Sequence, residues 1–309
     1  MKLIDTPSDK QNAMALTSDL VHWPLTDRDK RLFEWLPVSA KLSWLSFVRD
    51  ANPQLESWLQ FQDPQRFCAV AESIHLPAKT IPNPLQQDSV LIVEIPTADD
   101  TVADWQASAS DWVGLTADSI DRRSLLIALQ GAKLFWSPER IAIFAPSERL
   151  AVIRRAVVEF TFYDAQLRSI ERDIRDGWSP LAEDAPAAFE FPDKMHAKRQ
   201  QLSQRFQEYV GLRMRVARLA PHVDIPLVHP PTIASQIGER LRERTRMADR
   251  HAFLSEQLEV FEHVYEMCGQ RVSDAVLART GHYLEWIIIL LLLVQTILSV
   301  VEAASSAGN

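Results

Sequence analysis

The chain has 309 residues, 47% hydrophobic and 24% charged, with a formal net charge of -8, enough apolar material for roughly two domains. This acidic balance, with a pI near 5.5, excludes a surface built as a whole to hold nucleic acid, so any polyanion contact has to be local. Cys68 and Cys268 are the only cysteines; their separation excludes a disulfide framework or a CxxC knuckle and fits a reducing compartment.

Residues 1–20 have neither the apolar stretch of a signal peptide nor the Arg-rich character of a mitochondrial presequence, and read as a disordered, untargeted leader. Arg outnumbers Lys, which together with the missing presequence points by association to a bacterial source. Residues 21–146 are expected to form an α/β domain. From Thr26 to Phe61 the chain is rich in Trp and Leu and broken by Pro37 and Pro53, which predicts short helices rather than strands. Trp23, Trp35, Trp44 and Trp58 are assigned to the core, where bulky aromatics of amphipathic helices belong.

Between Ile74 and Pro146 the pattern becomes β-rich. "DSVLIVEIP" (88–96), "SLLIALQGAKLFW" (124–136) and "RIAIFAP" (140–146) read as strands, with a helix around Val102 to Val113. "SPE" at 137–139 has the length of a hairpin connection, so the last two runs should be antiparallel. No Gly-rich phosphate loop follows any of them, and nothing supports a nucleotide-binding α/β domain.

Residues 147–231 are predicted to be helical with a linker. Ser147 is the N-cap of a first helix that carries Leu150, Ile153, Val157, Phe160, Leu167, Ile170 and Ile174 on one face and ends near Gly177. A Pro-containing linker leads to a second helix with Leu202, Phe206, Tyr209, Val216 and Leu219 on its buried side. "APHVDIPLVHPP" (220–231) must be extended or turning. One long helix is expected over 232–302. In it Leu254, Leu258, Phe261, Tyr265, Cys268, Val272 and Ala275 recur at alternating spacings of four and three, a coiled-coil-like seam. The two upstream helices or a second copy could cover this seam; intramolecular packing is favoured because those helices also need a partner.

From Trp286 to Val301 the chain is "WIIILLLLVQTILSVV". At the helical rise this is about 24 Å, short of a ~30 Å hydrocarbon core. Its character decides what its length leaves open. The run is apolar on every side, which suits lipid and disfavours an interfacial helix. Tyr283 and Trp286 stand at its start, where amphipathic rings favour the headgroups, and the tail over 303–309 has no basic residue, so the N-terminal bulk should be cytosolic. Segment 286–301 is therefore read as a single transmembrane anchor, with local bilayer thinning making up the shortfall. Tyr283, Leu284, Glu285 and Trp286 form its boundary. Glu285 is expected to stay hydrated there or to pair one turn back with Arg279 or His282.

This ending resembles the C-terminus of the family named "required for meiotic nuclear division", in which a long helix ends in Arg-Leu-Glu-Trp-Ile and runs into a membrane segment. Leu284, Glu285, Trp286 and Ile287 match, and Tyr283 stands where the Arg is usual. Arg213, Leu219, Asp224 and Pro226 resemble an upstream family segment, and "KLFW" (133–136) is similar to a family strand ending. The resemblance implies a membrane-tethered protein with a soluble α/β plus helical region, a link to translation in mitochondrial members, and no catalytic set or cofactor.

Two further clusters carry polar or charged side chains. His222, Asp224 and His229 share one Pro-rich loop, but their spacing matches no metal-ligand pattern. Arg240, Arg242, Arg244, Arg246 and Arg250 lie among Glu239, Glu243 and Asp249 and read first as a solvated helical face. They are also the candidate contact for a polyanion or partner. On a continuous helix Arg242 would lie about 66 Å from Trp286, beyond headgroup reach. No GxSxG elbow or HExxH is present, and no catalytic, cofactor or metal residue is assigned.

The fold expected is α+β: a small mixed sheet with short helices in the N-terminal half, then an antiparallel helical bundle whose long final helix runs into one transmembrane segment. The function expected is a tail-anchored, non-enzymatic scaffold for a cytosolic protein or ribonucleoprotein partner, with homo-oligomerisation through the final helix a further option. The alternative is a membrane-bound enzyme with its site in the α/β domain.

Overall fold

The computed structural model describes residues 22–24, 36–49, 56–74, 80–82, 89–97, 103–114, 124–189, 198–225 and 228–307. The leader over 1–20, Trp35 and Pro53 lie outside them, as do the side chains of Trp23, Ala275 and Arg279. The chain divides into two units, one of residues 1–169 and 218–251, the other of 170–217 and 252–309. The division does not follow the expected boundaries near 146 and 231, because three helices each contribute to both units.

In the first unit the strands are β1 (His22–Pro24), β2 (Lys41–Val48), β3 (Glu56–Phe61), β4 (Phe67–Ile74), β5 (Thr80–Pro82), β6 (Ser89–Pro96), β7 (Leu125–Leu129), β8 (Ala132–Trp136) and β9 (Arg140–Ala145), with helix α1 (Ala103–Gly114) after β6. β1 and β5 pair with each other, and the other seven form a mixed sheet in the order β3-β4-β2-β6-β9-β8-β7. Every neighbouring pair in that sheet is antiparallel except β6 and β9, whose parallel pairing is allowed by the crossover through α1 and the β7–β8 hairpin.

Among the described residues, the chain between Thr26 and Phe61 forms strands β2 and β3 and none of the expected helices, and β4 precedes the β-rich region read from the sequence. For β2 the reason is burial on both faces. Leu42 and Trp44 of β2 join Leu91, Val93, Trp112 and Phe144 in the core under α1. Phe47, on the other face of β2, lies 5.3 Å from the Phe162 ring of helix α2 (Ser147–Asp184), which itself stacks on Phe61 of β3 at 3.9 Å. A strand apolar on both faces loses the alternation that would have identified it. "SLLIALQGAKLFW" is two strands, turned at Gln130 and Gly131, both with positive φ (48° and 81°). The "SPE" connection is a hairpin as read: Ser137 Oγ donates to Arg140 O at 3.0 Å and accepts from Arg140 N at 3.1 Å.

Helix α2 does not stop near Gly177 but continues to Asp184 and into a short 3₁₀ turn, Ala185–Ala188. Gly177 is there for close approach: a Cβ on it would meet Tyr209 Oη at 2.5 Å and Phe261 Cε1 at 3.0 Å. Helix α3 (Arg199–Val223) extends past Pro221 into the segment expected to be extended. The final helix is broken. Helix α4 (Ile233–Arg244) starts on Thr232, whose side chain accepts from Ser235 N at 3.2 Å, and ends at Thr245 and Arg246; helix α5 (Met247–Ala307) follows. Arg246 has φ 52°, the left-handed turn that ends one helix before the next begins. Helix α5 continues through the expected tail to Ala307.

The second unit is an antiparallel bundle of the later part of α2, most of α3 and nearly all of α5. Arg215 pairs with Asp173 at 2.9 Å, and Arg205 pairs with Asp184, so α2 and α3 run in opposite directions. Arg213 Nη1 donates to Ser255 O at 3.0 Å, while Tyr209 stacks on Tyr265 at 5.2 Å, which sets α3 against α5 in the same sense. Leu254, Leu258, Phe261, Tyr265, Cys268 and Val272 are buried, so the seam is covered within the chain as far as its side chains are described. Phe206, expected on the buried side of α3, is exposed.

Candidate functional site

Helix α5 changes character along its length. Its seam is buried up to Val272; beyond it the large apolar side chains from Trp286 to Leu298 stand 46–65% exposed on every side. The helix is long and apolar enough to cross a membrane: over Met247–Ser299 its best window has a mean hydropathy of 1.8 with no part buried inside the protein. Tyr283, Leu284, Glu285 and Trp286 are exposed at the head of this run. Glu285 Oε2 lies 3.3 Å from His282 Nδ1, an exposed contact that gains charge when the imidazole is protonated. Thr296 returns its hydroxyl to Leu292 O at 2.7 Å, so its polar group is satisfied by its own helix.

The five arginines are placed by the first unit and face different neighbours. Arg242 lies 3.6 Å from Glu239, and Arg246 lies 2.8 Å from Asp249. Arg244 Nη1 donates to Leu126 O at 2.8 Å, which occupies a carbonyl on edge strand β7. Arg250 pairs with the buried Asp164 at 2.7 Å. Arg240 is exposed. The ladder thus fastens α4 and the start of α5 as well as presenting charge. Because the helix breaks at Arg246, the axial distance expected between Arg242 and Trp286 does not apply.

Asp164 is held by Arg168 at 2.7 Å and by Arg250. Burial pushes its carboxyl up, but the two guanidiniums overcome this and hold it below the ordinary range. Glu94, in the middle of β6, is the opposite case. Its side chain is 4% exposed; burial pushes its carboxyl up, and Arg154 at 3.1 Å only partly reverses this. The Arg154 guanidinium also sits 4.4 Å from the Trp58 ring centroid, and both residues line an open cleft of about 220 Å³ with Glu56 and Arg155. This group was not read from the sequence; the available signal was a lone Glu inside the otherwise apolar strand "SVLIVEIP".

His222 stacks on Tyr163 at 4.1 Å and lies 3.8 Å from Asp63. His222 is in the last turn of α3 rather than in the expected loop, and Asp224 and His229, which follow the helix, are exposed. Among the described residues, no group of three or more His, Cys, Asp or Glu side chains gathers as metal ligands do. Cys268 is buried with Sγ 3.7 Å from Asp184 O, and burial pushes its thiol up, which leaves little thiolate for chemistry. No protein-family model matches the chain, and neither does any curated protein sequence.

Proposed function

We propose that the protein is a single-pass, tail-anchored scaffold that holds its sheet-containing unit on the cytosolic side of a membrane, the inner membrane in a bacterium. There it presents that unit to a protein or ribonucleoprotein partner. The observation that carries this reading is the exposure of α5 from Trp286 to Leu298 on every side, which is unfavourable in water and suited to lipid. Arg271 and Arg279 precede the run, which supports the cytosolic placement of the preceding residues. The Leu284 to Ile287 resemblance supports a family whose mitochondrial members are linked to translation. Arg240 and its neighbours on α4 are the proposed contact for an anionic partner.

The test is fractionation of the full chain expressed in bacterial cells. It should remain in the membrane pellet through alkaline carbonate and move to the detergent phase. Deleting 286–309 should release a folded soluble protein with the same thermal transition for its sheet-containing unit. Recovery of the intact chain in the soluble fraction would overturn the anchor. A membrane-bound enzyme is the other reading, and the cleft beside Trp58, Arg154 and Arg155 is where its substrate would bind.

A further inference from the structure

Helix α5 carries a second stripe, distinct from the buried one. Leu277, Gly281, Leu284, Ile288, Leu291 and Gln295 recur at alternating spacings of four and three, the repeat of two helices wound together. At 100° per residue this stripe is centred about 130–140° around the axis from the Leu254 to Val272 seam, so packing within the chain leaves it uncovered. Leu277 is 67% exposed, Leu284, Ile288 and Leu291 are exposed as well, and a Cβ on Gly281 would meet nothing within 4 Å. Leu277 and Leu284 precede the aliphatic run. Lipid does not require apolar residues there, so the stripe is more than a by-product of a leucine-rich span.

Gln295 is the second observation. It lies about 14 Å along the helix from Trp286 and about 9 Å from Val301, within the hydrocarbon when α5 spans a bilayer. Its carboxamide has two N–H donors and an oxygen acceptor, and the backbone groups of its own helix are already paired. Thr296 beside it is satisfied internally; Gln295 is exposed. A carboxamide in hydrocarbon is costly without a partner, and helices that carry one associate through it.

We infer that the stripe from Leu277 to Gln295 pairs with the same stripe of a second copy of this chain, with the two Gln295 carboxamides hydrogen-bonded to each other inside the membrane. The inference rests on the membrane reading. Copies inserted with one topology lie parallel and bring Gln295 to one depth. A carboxamide both donates and accepts, so it is its own complement across a two-fold axis. The alternating spacing gives the left-handed crossing common to paired membrane helices. Gly281 allows close approach at the headgroup end, and Leu277 carries the contact out of the lipid.

The test uses full-length protein labelled separately with donor and acceptor dyes and reconstituted in phosphatidylcholine–phosphatidylglycerol vesicles. Energy transfer is followed against protein-to-lipid ratio, and membrane integration is measured in parallel by carbonate extraction. Wild type should show saturable transfer with the stoichiometry of a dimer. Gln295→Leu should stay in the membrane and associate roughly three- to thirtyfold more weakly, the range of intramembrane hydrogen-bond strengths. Gln295→Asn, a shorter carboxamide, should fall between them. A carbonate-resistant chain that is monomeric, or a Gln295→Leu variant that associates like wild type, would overturn the pairing and leave the anchor standing. Extraction of wild type by carbonate would overturn both.

Discussion

Two buried carboxylates, Glu94 and Asp164, meet arginine partners and respond oppositely to pH. The folded state raises the Glu94 carboxyl, so its ionisation opposes folding. That penalty is absent below the ordinary glutamate value of about 4.3 and grows as pH rises from there to the raised folded value. Glu94→Gln should therefore leave stability unchanged or higher at neutral pH and lose that advantage on acidification, in urea titrations of the detergent-solubilised chain. Asp164 is lowered, so its contribution is present above the ordinary aspartate value of about 3.9 and is lost as pH falls through the folded value. Asp164→Asn should cost about 3 kcal/mol at neutral pH, because it breaks a buried pair from one side. At Gly177 helix propensity and packing disagree. Alanine is the better helix former by about 1 kcal/mol, but its Cβ would displace Tyr209 from its stack on Tyr265 and its tilted contact with Phe261. Gly177→Ala should lower the midpoint of the same unfolding curve, with a net cost of about 1–2 kcal/mol.

Among the elements, the legible ones carry a local signal of their own, as β6 and β9 do in being short apolar runs closed by Pro. The α5 seam, the helix start near Thr232 and the "SPE" hairpin could all be read because spacing or turn chemistry alone fixes them. Strands β2, β3 and β4 could not: β2 is covered by α1 on one face and α2 on the other, Phe61 of β3 packs on α2, and Trp and Phe in such strands look like helix-core residues. Gly177 misled for a related reason, since a glycine admitted for close packing has the same letter as a glycine that ends a helix. The break at Arg246 leaves no mark in the sequence, because the left-handed residue is neither Gly nor Asn. Its backbone gives a direct check. Arg246→Gly should be more stable than Arg246→Val by about 1–2 kcal/mol, since only the β-branched side chain resists φ 52°. The salt bridge lost in both, to Asp249, is exposed and contributes little.

For the molecule as a whole, the α+β class with its helical bundle and apolar final helix was legible, while the buried Glu94, Arg154 and Trp58 group was not. Its members lie on β3, β6 and α2, and only the packing of α2 across the sheet, with Arg154 reaching both Trp58 and Glu94, brings them together. The apolar run of α5 could be read because a helix long and apolar enough to cross a membrane is marked by composition over a continuous stretch, with no need of tertiary contacts. Helix α5 has one more property at this scale. It runs without interruption from the buried seam to the apolar run, so the two are locked in rotational phase as teeth on one shaft. One added residue between Val276 and Tyr283 would turn the lower teeth by about 100°, whereas seven would return them to within about 20°. Under the pairing inferred above, the length of the stretch joining the seam to the apolar run is set by angle as well as by reach, and insertions there would be tolerated in steps of whole heptads.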